Sequence, residues 1–200
     1  MTLLFATTNR NKVREVRHAL RAMASDPVQY QLLTLGDIGP AAEPEETGTT
    51  YWENARIKAL AYARGTGLVT VAEDSGFEVD ALGGTPGVQS ARFLGGATSY
   101  PERFAEIYRR LASQPSPARF VTALAVARGP DLLFETESVI EGEVAAAPAG
   151  HNGFGYDPIF YYAPLAGTTA QLTEDQKAAV SHRARAFRDL HRWIRKVKIK

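Results

Sequence analysis

The chain has 200 residues, of which 44% are hydrophobic and 22% are charged, so it can form a single domain with a real core. Its net charge of +1 argues against a dedicated nucleic-acid or membrane binder, and the absence of cysteine excludes disulfides, a thiol nucleophile and thiolate metal ligands. No apolar run reaches the roughly 18 residues of a membrane span, and the N-terminus has its apolar residues before its cations, so we expect a cytoplasmic protein.

Hydrophobic periodicity and capping signals predict alternating strands and helices in the first third of the chain. Apolar residues at spacings of three and four indicate a helix after the first strand. Thr50-x-x-Glu53 is a capping box that starts the next helix. The predicted elements are a strand at 2–7, a helix at 9–23, a strand at 29–35, a loop rich in Pro, Gly and Glu at 36–49, and a helix from 50 to about 65.

Strands dominate the middle of the chain. Ser99-x-x-Glu102 and Thr173-x-x-Gln176 are further capping boxes, and Gly129-Pro130 marks a hairpin turn. The predicted elements are strands near 68–73 and 77–82 around a Ser-Gly turn, a helix from 99 to about 113, a hairpin of strands at 118–128 and 132–144, a glycine-rich loop at 150–155, a short helical turn from 173, and a helix at 182–196. This order predicts an α/β fold with a mixed sheet.

Two adjacent carboxylates, Glu73 and Asp74, directly follow the apolar run LVTVA. Acids at the end of a buried strand are costly unless a cation neutralises them. A hard divalent metal with oxygen ligands is the usual partner, and it commonly handles phosphate. The alternative is a surface hairpin with solvated acids. Glu45 and Glu46 lie in the preceding loop and join such a site only if that loop folds over the pair.

A polar turn, TTNRNK, leads from the first strand into a helix, and this geometry presents backbone N–H groups to an anion. Thr7, Thr8 and Asn9 add side-chain donors. Lys12 lies in the first helical turn, where a cation opposes the helix dipole unless it faces an anion. The alternative is an N-capped helix with an exposed lysine, and the turn lacks the glycines of a Walker loop.

Two other segments offer groups for a nucleotide. Asn54 and Lys58 share one helix face and could hold phosphate oxygens, although a solvated face fits equally well. The loop GHNGFGYDP lets the backbone approach a ligand, and Phe154 or Tyr156 could stack on a base. The alternative for this loop is a tight turn with both aromatic rings in the core.

A donor cluster precedes the last helix. Lys177, Ser181, His182 and Arg183 could address the O6 and N7 acceptors of a purine, or they could be solvated groups at a helix start. The tail RKVKIK places cations at a helix C-terminus, where the dipole favours them, so we interpret it as a solvated end. Together, these segments contain the parts of a nucleoside triphosphate site.

In these motifs the chain resembles the inosine triphosphate pyrophosphatase family, which is also called the noncanonical purine NTP pyrophosphatase or HAM1/RdgB-like family. Five segments match in order across essentially the whole chain: FATTNRNK, PEETGTTYWENARIKA, AEDSGFEVDALGGTPGVQSARF, GFGYDPIF and KAAVSHRARA. The resemblance implies an elongated α/β fold in one domain spanning 1–200, with a long curved mixed sheet flanked by helices and two lobes around a central cleft.

The resemblance also implies an activity and its setting. The reaction is expected to be Mg²⁺-dependent hydrolysis of ITP, dITP or XTP to the monophosphate and pyrophosphate, which clears deaminated purines from the nucleotide pool. A homodimer is expected. Two alternatives stay open: a pyrophosphatase for another modified or pyrimidine triphosphate, and a nucleotide-binding module without catalysis.

Site residues follow from the resemblance by position. Asp74 is expected to be the general base and a metal ligand, with Glu46 and Glu73 helping to hold Mg²⁺. The expected substrate-binding residues are Thr7, Thr8, Asn9, Lys12, Asn54, Ser75, Phe154, Gly155, Tyr156, Asp157, Lys177, His182 and Arg183. Two departures from the family pattern are mild: Thr8 stands where glycine is frequent, and Glu73 replaces the commoner aspartate.

Overall fold

A computed structural model describes residues 2–23 and 30–197. Eight strands form one mixed sheet in the order β2-β1-β3-β5-β6-β7-β8, and β4 pairs with β3. The strands are β1 Thr2–Phe5, β2 Gln31–Thr34, β3 Val69–Val79, β4 Thr85–Gly87, β5 Pro117–Arg128, β6 Asp131–Val144, β7 Phe160–Tyr162 and β8 Gly167–Thr168. The helices in the described ranges are α1 Arg10–Ala22, α2 Leu35–Ile38, α3 Tyr51–Thr66, α4 Tyr100–Leu111, α5 Glu174–Val180 and α6 His182–Lys196.

The chain divides into two compact units, and β3, β5 and β6 each contribute residues to both. Within the described ranges, unit 1 draws on Met1–Asp74, Thr122–Ser138 and Arg183–Lys200. Unit 2 draws on Ser75–Val121 and Val139–His182.

Unit 1 is built around parallel pairing of β1 with both of its neighbours. Leu3 lies opposite Leu32 of β2 and Val69 of β3, so the three strands run in the same direction. The apolar faces of α1 and α6 cover this sheet, with Val16 of α1 and Phe187 of α6 fully buried in the same cluster. The carboxyl ends of the three strands therefore meet at one edge of the sheet, which is where open α/β sheets bind ligands.

Unit 2 has an aromatic core. Phe77 at the end of β3 contacts three rings, those of Phe120, Tyr156 and Phe160, with centroids between 5.0 and 6.1 Å away. Residues of α4 complete the cluster, among them the fully buried Ile107. Tyr156 directly follows the glycine-rich loop and is part of this core, so the core anchors the C-terminal end of that loop.

Most of the predicted elements are present, and the three capping boxes form as predicted at α3, α4 and α5. Two predictions are wrong. The two strands expected around Ser75-Gly76 are one continuous strand, because burial of Phe77 and its pairing with β4 hold the backbone extended through the glycine. The loop after β2 begins with the short helix α2, which Asp37 caps by accepting from Thr34.

Two predictions reach past the described residues. Position 29 of the second predicted strand and Lys198–Lys200 of the C-terminal tail lie outside them. Within the described ranges, no helix combines the length and the apolar character that crossing a membrane requires.

Candidate active site

The carboxylate pair lies at the carboxyl edge of the parallel strands in unit 1. β1 ends at Phe5, and the next N–H, that of Ala6, donates to the carbonyl oxygen of Val71 at 2.8 Å. Glu73 and Asp74 follow two and three residues further along β3, and they are 1% and 7% exposed. The solvated-hairpin alternative is therefore wrong for these acids, and their charges require partners inside the protein.

Glu73 is neutralised by two cations that meet at one of its oxygens. Lys12 Nζ and Arg183 Nε both lie 3.0 Å from Oε1, while the hydroxyl of Thr122 donates to Oε2 at 3.4 Å. Burial alone raises the pKa of Glu73, but the attraction of Arg183 and then of Lys12 outweighs it, so the pKa lies well below its ordinary value. Glu73 is therefore ionised at neutral pH.

The two cations share Glu73 unequally. Burial lowers the pKa of Arg183, but Glu73 and then Glu15 of α1 raise it above its ordinary value, and Arg183 also donates to Glu15. Burial lowers the pKa of Lys12, and the attraction of Glu73 does not restore it. Burial thus disfavours the charged form of Lys12 more than Glu73 favours it, and an additional anion near Lys12 would favour that charged form.

Asp74 has weaker compensation than Glu73. The side-chain amide of Asn54 donates to its Oδ2 at 3.1 Å, and Lys58 Nζ lies 3.7 Å from Oδ1. Burial raises the pKa of Asp74 above its ordinary value, although Lys58 and Lys12 oppose the shift. A carboxylate with a raised pKa is a stronger base than an ordinary aspartate, which suits proton abstraction from water.

Lys58 connects Asp74 to the loop before α3. Its Nζ lies 2.8 Å from Oε1 of Glu46, so one ammonium group bridges two carboxylates from different parts of the chain. Burial lowers the pKa of Lys58, but the attraction of Asp74 and Glu46 raises it by more, so the pKa lies above its ordinary value. The loop does fold toward the acid pair, which is the condition under which Glu46 could join the site.

This donor set fits a hard divalent cation. Glu46 and Asp74 are oxygen donors that converge on one ammonium group, that of Lys58, whereas Glu73 contacts Lys12 and Arg183. Among residues 2–23 and 30–197, no group of three or more histidine, aspartate or glutamate side chains is placed to hold a metal ion. Mg²⁺ does not require one, because it is usually held by one or two carboxylates together with waters and phosphate oxygens of the substrate.

The polar turn after β1 caps α1. The side chain of Asn9 accepts from the N–H groups of Asn11 and Lys12, and the hydroxyl of Thr7 accepts from the N–H of Asn9. Thr8 is exposed and donates to Glu43 at 3.4 Å. The N-cap alternative is thus correct for Asn9, but Lys12 is not an exposed lysine, since its ammonium group faces Glu73.

The glycine-rich loop of unit 2 forms a second group of predicted residues. Asp157 accepts from the N–H of Phe154 at 2.7 Å and from Lys177, whose ammonium group lies 5.3 Å from the centroid of the Phe154 ring. Gly155 has a φ of +66°, which favours glycine. Tyr156 is buried in the aromatic core and donates to the carbonyl of Ser90, so the core alternative holds for this ring.

The remaining two predicted residues, Ser75 and His182, both belong to unit 2. Ser75 follows Asp74 in β3 and is half-buried. His182 in unit 2 is 6% exposed and stacks on Phe120, with ring centroids 4.9 Å apart and planes inclined by 6°. The ring of His182 is therefore held face to face with an aromatic core residue.

Sequence patterns did not predict two groups that shape this site. Glu15 follows Lys12 by one helical turn, a spacing that would have placed both on one face of α1. Thr122 lies inside an apolar strand and left no signal. The bond between Asn54 and Asp74 joins residues 20 positions apart, so helix periodicity alone gave only the face on which Asn54 lies.

Comparison with known proteins identifies the family. The sequence profile described as the Ham1 family matches residues 3–193.

The chain belongs to the Ham1 family.

This confirms the family that the five motifs indicated. A relative named dITP/XTP pyrophosphatase from Syntrophobacter fumaroxidans is 45% identical over 193 residues, covering 95% of this chain and 80% of the relative. One of the same name from Thermus thermophilus is 42% identical over 192 residues, covering 95% of this chain and 90% of that relative.

Solved structures of Ham1 proteins share the fold. The HAM1 protein from Coxiella burnetii superposes with a TM-score of 0.85 at 34% identity, covering 98% of this chain and 100% of that chain. The Ham1 protein from Staphylococcus aureus gives a TM-score of 0.84 at 33% identity, covering 98% and 99%. The mixed α/β fold predicted from the sequence is confirmed.

Proposed function

We propose that this protein is a nucleoside triphosphate pyrophosphatase that hydrolyses noncanonical purine triphosphates, namely ITP, dITP and XTP, to the monophosphate and pyrophosphate. The relatives named dITP/XTP pyrophosphatase are alike over nearly the full chain and support this activity. The biological role is then removal of deaminated purines from the nucleotide pool before they enter DNA or RNA.

One observation in the structure carries the proposal. Lys12, whose ammonium group lies 3.0 Å from Glu73, and Asp74, a buried carboxylate with a raised pKa, lie at the carboxyl edge of the parallel strands. A polyphosphate would compensate Lys12, and a base of this kind would accept a proton from water. The site therefore offers a phosphate oxygen a largely buried ammonium group, that of Lys12, close in the fold to a carboxylate able to activate water.

The proposed reaction uses Asp74 as the general base. Asp74 takes a proton from a water molecule, the water oxygen forms a bond to the α-phosphorus, and the bond from the α-phosphorus to the bridging oxygen of the β-phosphate breaks. That oxygen keeps the electron pair, so pyrophosphate leaves. Asn54 holds the carboxylate of Asp74 in one orientation, and Lys12 offsets charge on the phosphate oxygens.

Magnesium is part of the proposal. Glu46 and Asp74 would hold the ion, and Glu73 is the predicted third ligand. When bound, Mg²⁺ would neutralise charge on the phosphate oxygens. The side chain of Lys58, which now bridges Glu46 and Asp74, would then be available to the phosphates, as the sequence suggested for this residue.

Most of the expected substrate-binding roles stay predictions. They concern Thr7, Thr8, Asn9, Ser75, Phe154, Gly155, Tyr156, Asp157, Lys177, His182 and Arg183. Hypoxanthine and xanthine carry a 6-oxo group where adenine has an amino group, and a donor such as Arg183 would favour the 6-oxo bases by roughly 1–3 kcal/mol. The homodimer and the cytoplasmic location belong to the proposal as well, and sedimentation equilibrium tests the first.

Hydrolysis of ITP in water enriched with ¹⁸O, followed by mass spectrometry of both products, tests the reaction. We expect one ¹⁸O atom in the monophosphate and none in pyrophosphate. Label in pyrophosphate, or release of inorganic phosphate as the first product, would contradict attack at the α-phosphorus. Asp74→Asn should abolish turnover while ITP binding survives, and Asp80→Asn, an exposed acid of unit 2, serves as the control. Binding of ITP without turnover by the wild type would instead favour the non-catalytic module.

A further inference from the structure

Residues 168–172, a segment to which the sequence patterns gave no role, contact the glycine-rich loop at 150–155 and the chain just beyond it. The N–H groups of His151 and Asn152 donate to the carbonyl oxygen of Ala170 at 3.1 and 2.9 Å, and the Asn152 amide donates to Leu172 at 3.0 Å. Gly150 permits this contact, because a Cβ built there would lie 2.3 Å from the carbonyl carbon and oxygen of Ala170. The loop is therefore fitted closely against this segment.

The carboxylate of Asp157 is the point where the segment and the loop are joined by side chains. Its Oδ1 accepts from the hydroxyl of Thr169 at 2.7 Å. Its Oδ2 accepts from the N–H of Phe154 at 2.7 Å and from the ammonium group of Lys177. One carboxylate therefore organises the loop backbone and a lysine at once.

Burial makes the Thr169 hydroxyl important for this arrangement. Asp157 is 2% exposed and Thr169 is 3% exposed, so water cannot readily replace a lost donor. The terminal torsion of an aspartate is broad, and it is fixed mainly by what its two oxygens contact. Without a donor on Oδ1, the carboxylate could turn, and both bonds at Oδ2 would weaken together.

We propose that Thr169 is a positioning residue for nucleotide recognition. Its hydroxyl orients Asp157, which in turn fixes the loop backbone at Phe154 and the position of Lys177, a predicted substrate-binding residue. This inference rests on the proposed function and on the predicted use of this loop by the nucleotide. It adds a residue outside the predicted substrate-binding set, and it assigns that residue an effect on binding rather than on bond breaking, since the proposed base, Asp74, belongs to unit 1.

Steady-state kinetics of Thr169→Val test the inference, because valine keeps the shape of threonine and removes the donor. Loss of a hydrogen bond to a charged group should weaken substrate binding, so we expect KM for ITP to rise about tenfold. The kcat of the variant should stay within about twofold of the wild-type value. The preference for ITP over ATP, as a ratio of kcat/KM values, should fall. Thr169→Ser restores the hydroxyl and should recover both quantities.

A matched control separates positioning from general loss of stability. Thr70→Val removes another buried threonine hydroxyl, which donates to the backbone carbonyl of Leu68 within unit 1. This variant should keep the wild-type KM and base preference. If Thr169→Val does not fold, as judged by circular dichroism, Thr169→Ala removes the same donor with a smaller side chain.

Amide hydrogen exchange at Phe154 gives a readout that is independent of activity. Exchange at this amide should be at least several-fold faster in Thr169→Val than in the wild type and in Thr169→Ser, because its acceptor is no longer held. Unchanged exchange would overturn the positioning role. Faster exchange with unchanged KM and base preference would show that the loop is fixed by Thr169 but does not serve the substrate, which also overturns the proposal. Absence of turnover in the wild type contradicts the proposed function instead, and the exchange experiment still decides the effect of Thr169 on the loop.

Discussion

Asn54 donates the N–H of its side chain to Asp74 at 3.1 Å, and both residues are buried. The carbonyl oxygen of the same amide accepts from the N–H of Gly48 at 2.9 Å, so both the nitrogen and the oxygen of the Asn54 side chain are hydrogen-bonded. A Cβ at Gly48 would lie 2.6 Å from that oxygen, which explains the glycine. The first turn of α3 thus links the acidic loop to the orientation of the proposed base.

Replacing Asn54 by alanine should lower kcat more than it raises KM. The bond to a charged acceptor is worth about 1.5–3 kcal/mol, so we expect kcat to fall by about tenfold to a hundredfold. Arg56→Ala, an exposed change on the same helix that breaks an ion pair with Glu135, is the control and should keep kcat. A rise in KM alone would indicate that Asn54 binds phosphate rather than positioning Asp74.

The raised pKa of Asp74 predicts how the stability of the metal-free protein depends on pH. An acid with a raised folded-state pKa binds its proton more tightly when folded, so stability is lost as the pH rises from the ordinary Asp value of 3.8 through the folded pKa. In EDTA at neutral pH, Asp74→Asn should therefore unfold at a higher urea concentration than the wild type. The difference should shrink as the pH falls toward 3.8, and a wild type more stable than the variant at neutral pH would contradict the assignment.

Removing Arg183 should destabilise the protein, whatever its role toward the base. Arg183→Ala leaves Glu73 and Glu15 with one cation fewer in a buried site, and breaking such a group costs about 3–5 kcal/mol. Arg192→Ala breaks an exposed pair with Asp189 on the same helix, where we expect about 0–1 kcal/mol. Urea unfolding of both variants measures the contrast. If the predicted edge recognition is correct, Arg183→Ala also raises KM for ITP or flattens base preference, and kinetics unchanged with every purine would refute that role.

Gly153 in the glycine-rich loop should be intolerant of even a methyl group. Its φ is +71°, and a Cβ there would lie 2.0 Å from Oδ2 of Asp157 and 2.9 Å from Lys177 Nζ. Gly129, in the β5–β6 turn, has a φ of +54° and no atom within 4 Å of such a Cβ. Alanine at either position incurs a conformational cost of about 1–2 kcal/mol, but only Gly153→Ala should also lower affinity for ITP. Equal melting temperatures and equal affinities for the two variants would contradict the close packing at Gly153.

Local signals predicted most of the fold. The capping boxes placed the starts of α3, α4 and α5, since these depend only on residues three positions apart. The Ser-Gly break in β3 was wrong because the burial of Phe77 in a core assembled from distant residues overrides a local turn preference. Helix α2 was missed because its cap pairs Thr34 with Asp37 rather than with the glutamate or glutamine of a usual capping box.

The sequence indicated that the two buried acids require cations, but it did not show which residues would supply them. Two acids after a buried strand indicated that cations must neutralise them, and Lys12, Lys58 and Arg183 do so. The pairing of Arg183 with Glu73 spans 110 residues, and no local pattern encodes such a contact. The unequal compensation of Glu73 and Asp74, which distinguishes the proposed base, depends on these long-range contacts.

Pyrophosphate release from ITP, XTP, GTP and ATP, each with Mg²⁺ and with EDTA, tests the central claim most directly. The proposal predicts fast release from ITP and XTP with Mg²⁺, far slower release from GTP and ATP, and loss of all release in EDTA. No release from any of the four nucleotides with Mg²⁺, or equal release from ATP and ITP, would contradict a pyrophosphatase for deaminated purines.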